Sequence, residues 1–214
     1  MAQIPESELH RIVQQIIERT MGIPSSAGQI NTAPPVSNNV SGQTAGSTES
    51  PITSPTSTST PAAKIVAFGS DHGGFNLKET LKVYAAELGY GVIDCGTNDS
   101  KTGVDYPDFA LAAAMLIKEG KAWRAIVVDG AGIGSCMAAN KVPGVRAALC
   151  YDYATAVNSR EHNDANLLTL GAGLIGENLA KQIVKTWLET GFGGGRHQKR
   201  IDKILSIEKQ FSKE

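Results

Sequence analysis

The run Ala125-Ile126-Val127-Val128, passing into Asp129-Gly130-Ala131-Gly132-Ile133-Gly134-Ser135, leaves this chain few ways to fold. A short apolar, β-branched segment ends in alternating glycines ahead of a helix-compatible stretch, Cys136 to Lys141. That order predicts a buried parallel strand turning tightly into a helix N-terminus. Such a turn presents free backbone N–H groups with a helix dipole behind them, which suits a phosphate or a developing oxyanion. Asp129 is thereby carried to the carboxyl end of its strand, where open α/β sheets bind their ligands.

The pattern recurs around it. Further strands are expected at Lys64 to Gly69, Gly91 to Cys95, Val145 to Cys150 and Leu167 to Leu170. They alternate with helical stretches from Phe75 to Leu88, Phe109 to Glu119, Tyr153 to Arg160 and Glu177 to Thr190. Strands and helices in this order make βαβ units and an α/β fold with a mostly parallel, doubly wound sheet, here of five strands over residues 63–214. A final helix, about Gln198 to Phe211, follows Gly193-Gly194-Gly195 and is positioned to leave the domain surface and meet a second subunit.

Two segments precede that domain. Leu9, Ile12, Val13, Ile16, Ile17 and Met21 form one apolar stripe at helical spacing, with Pro5 in the first turn and Gly22 and Pro24 as a stop, so residues 1–22 are expected to hold a detached amphipathic helix. Residues 23–62 are Ser, Thr, Pro, Gly, Asn and Gln with Glu49 as the only charge, a composition expected of a disordered linker. The polar face of the helix mixes signs, which argues against a membrane-surface helix or a transit peptide.

A net charge of −1 without any Lys/Arg block favours neither nucleic acid nor a membrane as partner. Cys95, Cys136 and Cys150 form no C-x-x-C pair, so neither a disulfide framework nor a zinc site is expected, and a reducing cytosol fits. With no signal peptide and no long apolar run, the chain is expected to be soluble and cytoplasmic.

Chemistry-bearing side chains gather near the strand ends: Asp71 and His72 after the first strand, Asp129 after the third, Asp152 after the fourth and His162 to Asp164 before the fifth. All are expected along one edge of the sheet. Arg196, His197, Lys199 and Arg200 crowd a helix start, where their charge opposes the dipole unless an anion lies between them.

Five ordered motifs, Ser70-Asp71-His72-Gly73-Gly74-Phe75, Asp105-Tyr106-Pro107, the glycine loop with Ala138-Ala139-Asn140-Lys141, Ser159-Arg160-Glu161-His162-Asn163-Asp164 and Gly194-Gly195-Arg196-His197-Gln198-Lys199-Arg200, together resemble the type B ribose-5-phosphate isomerases. The resemblance covers about residues 64–210. It implies a Rossmann-like αβα sandwich, an aldose–ketose isomerase that uses neither metal nor cofactor, a small phosphorylated sugar as substrate, and a homodimer with shared sites. By motif, His162 looks like the group that opens the furanose ring, Asp71 and Asn163 like ligands of sugar hydroxyls, and Tyr106 like a residue along the sugar. Gly130, Ala131, Gly132, Ile133 and Gly134 would form the anion hole for a cis-enediolate, and His72, Arg196 and Arg200 would hold the phosphate. Outside this match, the N-terminal helix and linker resemble the encapsulation peptides of bacterial microcompartment cargo, which implies a shell protein as partner for residues 4–21 and a location inside such a compartment.

The sequence departs from the family pattern twice. Asp129 stands where one branch has a base cysteine, and Ser135 where another has a carboxylate, so Asp129 is expected to be the proton-shuttling base. Cys136 is expected to be a core residue. Gly173 stands where an arginine commonly faces the phosphate. These changes leave the sugar open, and they leave two other readings: a sugar-phosphate binder that has lost catalysis, or a dinucleotide-binding domain, for which the third glycine of the fingerprint is missing at Ser135.

Overall fold

In the computed structural model, which describes residues 64–212, five strands and six helices alternate. They are β1 (Ile65–Ser70), α1 (Phe75–Glu87), β2 (Gly91–Asp94), α2 (Tyr106–Lys118), β3 (Arg124–Asp129), α3 (Ile133–Ala139), β4 (Ala147–Leu149), α4 (Tyr153–Glu161), β5 (Leu167–Gly171), α5 (Glu177–Glu189) and α6 (Gln198–Phe211). The expected N-terminal helix and linker lie outside the described residues. No described helix is long and apolar enough to cross a membrane.

The strands pair in the order β2-β1-β3-β5-β4, and all four pairings are parallel. The sheet is thus wholly rather than mostly parallel. Side-chain alternation along each strand feeds two cores. Val66, Phe68, Ile126, Val128, Leu168 and Leu170 face α1, α4 and α5, whose Leu81, Ala156, Ile183 and Trp187 complete that layer. Ala67, Ala125, Val127 and Leu167 face α2 and α3, where Ala110, Ala113, Ala114, Leu116 and Ala139 pack. The alanine run in α2 gives that helix its close approach to the sheet. On α6 only Ile201 is buried, while Ile204, Leu205, Ile207 and Phe211 stay exposed.

Two helices begin earlier than the sequence suggests. α2 starts at Tyr106 with a proline in its first turn, and α3 starts at Ile133, with Gly132 as its N-cap at φ 77°. Pro and Gly read as breakers, yet both are at home at a helix start.

Candidate active site

The strand order reverses between β1 and β3, so the crevice of this sheet opens where their carboxyl ends part. Asp71 leaves β1 there and Asp129 ends β3. The glycine loop between them owes its path to Gly132, where a Cβ would stand 2.5 Å from Leu149 and 2.9 Å from the Leu170 backbone. Gly134 lets the Tyr106 ring lie directly on the loop, since a Cβ there would meet the ring at 2.4 Å. Tyr151 steadies the loop from behind, donating its hydroxyl to the Ala131 carbonyl at 2.9 Å.

Asp129 does not stand free in this crevice. It is buried, and its Oδ1 accepts from the backbone N–H of Ala131 at 2.8 Å and of Gly132. Its Oδ2 accepts from the Ser135 N–H at 3.1 Å and from the Ser135 hydroxyl. A carboxylate has about four acceptor sites, and here all are taken. A base needs a lone pair aimed at the substrate, and these four contacts occupy those of Asp129. Of the loop donors expected to form the anion hole, Ala131 and Gly132 serve Asp129, whereas the N–H groups of Gly130, Ile133 and Gly134 make no hydrogen bond among the described residues. The missed residue is Ser135, fully buried and the closing partner of Asp129. An Asp followed by a hydroxyl residue across a glycine turn is the signal that could have revealed the pair.

On the opposite wall, Asp71 accepts the Gly74 N–H at Oδ1, 2.9 Å away. His72 accepts the Val104 N–H at Nδ1, 3.3 Å away, which leaves its proton on Nε2, free to donate. The loop that brings Val104 and Tyr106 over is tied down by Lys78. This lysine is fully buried and donates to Asp94 at 2.6 Å and to the Thr97 carbonyl at 3.0 Å. Lying on the same helix face as Leu81 and Ala85, it was legible as a charge on an apolar stripe. Gly173, in place of the usual arginine, donates its N–H to the Gly130 carbonyl at 2.9 Å, so this position does border the glycine loop. Cys136 is half-buried, and burial pushes its thiol up.

His162, Asn163, Arg196 and Arg200 are elsewhere. β5 runs parallel to β3 with Leu167 beside Ala125 and Gly171 beside Asp129. The turn before β5 therefore lies at the amino edge of the sheet, about 13 Å or more from the glycine loop at 3.3 Å per strand residue. The single edge expected from the sequence is two. At the amino edge, the His162 ring stacks on His197 with centroids 4.2 Å apart, and its Nδ1 pairs with Asn158 at 2.8 Å. The Gly193 N–H bonds to the Glu161 carbonyl at 2.8 Å and brings the glycine-rich segment alongside. Arg196 and Arg200 are exposed and pair with no carboxylate among the described residues. A cavity of about 880 Å³ opens between this edge and α6, lined by Asn163, Arg146, Ile204 and Phe211 among others.

Buried His197 is held below the ordinary histidine value by desolvation, and the charges of His162, Arg196 and Arg200 act in the same direction. A base kept neutral in the fold contributes stability above its unfolded pKa and loses it as pH falls towards the lower folded value. The melting temperature should accordingly decline as pH drops from about 7 to about 5, and His197→Gln should flatten that decline. An unchanged pH slope in the variant would contradict this.

Residues 66–204 match the model of the ribose/galactose isomerase family. The chain belongs to that family. Among its relatives, ribose-5-phosphate isomerase B of Escherichia coli is 42% identical over 147 residues, covering 69% of this chain and 98% of the relative. The D-erythrulose-4-phosphate isomerase of Pectobacterium atrosepticum is 40% identical over 145 residues, covering 68% and 95%. The structure of Clostridium thermocellum ribose-5-phosphate isomerase B, 51% identical, matches with a TM-score of 0.68 over 69% of this chain and 99% of that one. In this member of the ribose/galactose isomerase family, the shared region is the α/β domain; the first 60 or so residues lie outside it.

Proposed function

We propose that this protein interconverts the aldose and ketose forms of a small phosphorylated sugar through a cis-enediolate, with ribose 5-phosphate and ribulose 5-phosphate as the default pair. The observation that carries the reading is the set of N–H groups of Gly130, Ile133 and Gly134 without a partner among the described residues, on a loop bordered by Tyr106 and Asp71 at the reversal of strand order. Donors fixed in advance at the oxygen where charge develops are what an enediolate needs. His162 would protonate the ring oxygen to open the furanose, Asp71 and Asn163 would hold hydroxyls, and Arg196, Arg200 and the Nε2–H of His72 would hold the phosphate. A relative that acts on a four-carbon sugar and the glycine at 173 make the length of the sugar the open variable. Purified full-length protein should isomerise at least one of a panel of four- to six-carbon aldose phosphates. Binding without turnover would make it a sugar-phosphate binder instead, the reading favoured by Gly173 and the engaged Asp129.

Because the two halves of this site lie at opposite edges of one chain, the function requires a second copy that brings its amino edge to the first copy's glycine loop. Exposed Ile133, Met137, Tyr153 and Leu174 offer apolar surface for such a contact. Asp71→Asn and His162→Gln, each inactive alone, should complement when co-expressed: half of the dimers would be hybrids, each with one intact site, so roughly a quarter of wild-type activity should return. Mixed dimers as inactive as either parent would sink the shared site.

Residues 4–21 would serve as a docking helix for a microcompartment shell, a reading supported by their apolar stripe and by the absence of this segment from the family match. Deleting residues 1–62 should leave isomerase activity intact. Residues 1–22 fused to a fluorescent protein should collect in compartments of a shell-producing cell, and diffuse fluorescence would refute the role.

A further inference from the structure

With Asp129 fully engaged, the reaction needs another base, and we infer that Asp71 is the group that carries the proton between the two carbons. The inference rests on the isomerase reading above. The other carboxylates of the carboxyl-edge loops are either committed to hydrogen bonds or exposed to solvent. Asp94 holds Lys78, Lys82 and the Gly96 N–H, Asp99 closes its own turn through Lys101 and Thr102, and Asp152 caps α4 through Thr155. Asp105 is exposed to solvent. Asp71 is buried, keeps Oδ1 on the Gly74 N–H, and accepts nothing at Oδ2 from any described residue.

Its placement relative to the donors is what a proton shuttle requires. A Cβ on Gly73 would stand 3.4 and 4.0 Å from the two Asp71 oxygens and 3.8 Å from the Gly130 nitrogen. The carboxylate and the free donor therefore border one space that only a glycine leaves open, and they lie no more than about 8 Å apart. A two-carbon enediol in that space would set its oxygen on the Gly130 N–H and its carbon towards Oδ2. Asp71 takes the proton from C2; the C–H pair becomes the C1=C2 bond and the carbonyl pair moves to O1, held by the loop. The O2 proton then passes to O1, Asp71 returns its proton to C1, and the ketose forms at C2. No other reactant is consumed. Asp129 and Ser135 are positioning residues, keeping the loop in the shape that leaves Gly130, Ile133 and Gly134 free.

The test compares full-length wild type, Asp71→Asn and Asp129→Asn in deuterium oxide, following substrate C–H exchange and ketose formation by NMR. Asp71→Asn keeps an oxygen for the Gly74 N–H, so its turn is preserved, and it should lose exchange and kcat together by on the order of 10² to 10⁴ fold with KM changed far less. Asp129→Asn should raise KM and lower the melting temperature while retaining exchange within about tenfold of wild type. Exchange near the wild-type rate in Asp71→Asn overturns the inference. So does a folded Asp129→Asn that loses exchange by a hundredfold or more. A wild type that exchanges no proton from any sugar phosphate overturns the isomerase reading itself, a separate and distinguishable failure.

Discussion

Gly132→Ala should destabilise the protein by roughly 2 to 5 kcal/mol and abolish measurable isomerisation. Gly132 has φ 77°, a conformation that costs an L-residue about 1 to 2 kcal/mol. The added methyl would also sit 2.5 Å from Leu149 Cδ1 and 2.9 Å from the Leu170 carbonyl carbon. The leucine tip can turn aside, but the Leu170 backbone belongs to the central part of the sheet and cannot, so overpacking adds about 1 to 3 kcal/mol. Any relief moves the loop away from β5, which breaks the Asp129 contacts to Ala131 and Gly132 and misdirects the free donors. Denaturant unfolding and steady-state kinetics check this together. A variant within 1 kcal/mol of wild type, or one with normal kcat, would mean that the loop does not need this geometry.

Asp164→Ala should cost roughly 2 to 4 kcal/mol and remove most ring-opening activity, though Asp164 need not touch substrate. Among described non-glycine residues it alone has positive φ, 44°, and it follows directly on His162-Asn163. Two arginines hold it there: Arg146 through Nε to its carbonyl at 3.0 Å and through Nη2 to Oδ2 at 2.8 Å, and Arg160 through Nη1 to Oδ1 at 2.9 Å. Arg160 is buried, so losing its carboxylate leaves a buried charge underpaired, a change usually worth about 3 to 5 kcal/mol; partial exposure of Asp164 lowers the figure. Asp164→Asn tolerates the same backbone and should cost about half as much. Urea midpoints and kcat on cyclic substrate test the pair. Equal losses for Ala and Asn would show that the ion pairs matter and the backbone conformation does not.

The element order, the doubly wound sheet and the glycine turn were legible because each depends on local pattern: alternation in strands, helical spacing and breaker residues. Helix starts at Tyr106 and Ile133 were misjudged because Pro107 and Gly134 weaken a helix interior yet are tolerated in its first turn. Lys78 and Ser135 carry sequence signals, a charge on an apolar helix face and a hydroxyl across the glycine turn from Asp129, but their partners are fixed only once the chain folds.

The candidate reactive groups could be listed from the sequence; which of them keep a free atom could not. Residues such as Asp129, Asp71, His162 and Arg196 could be named as candidates from residue type and motif alone. Only the folded chain decided that Asp129 exhausts its acceptors on its own loop while Asp71 keeps an oxygen open. It also decided that His162 and Arg196 sit at the amino edge, because the parallel register of β3 and β5 sends the two ends of each strand to opposite sides of the sheet. Sequence order carries no record of which lone pairs are already taken, or of which edge a turn returns to; both follow from backbone geometry after the strands have paired.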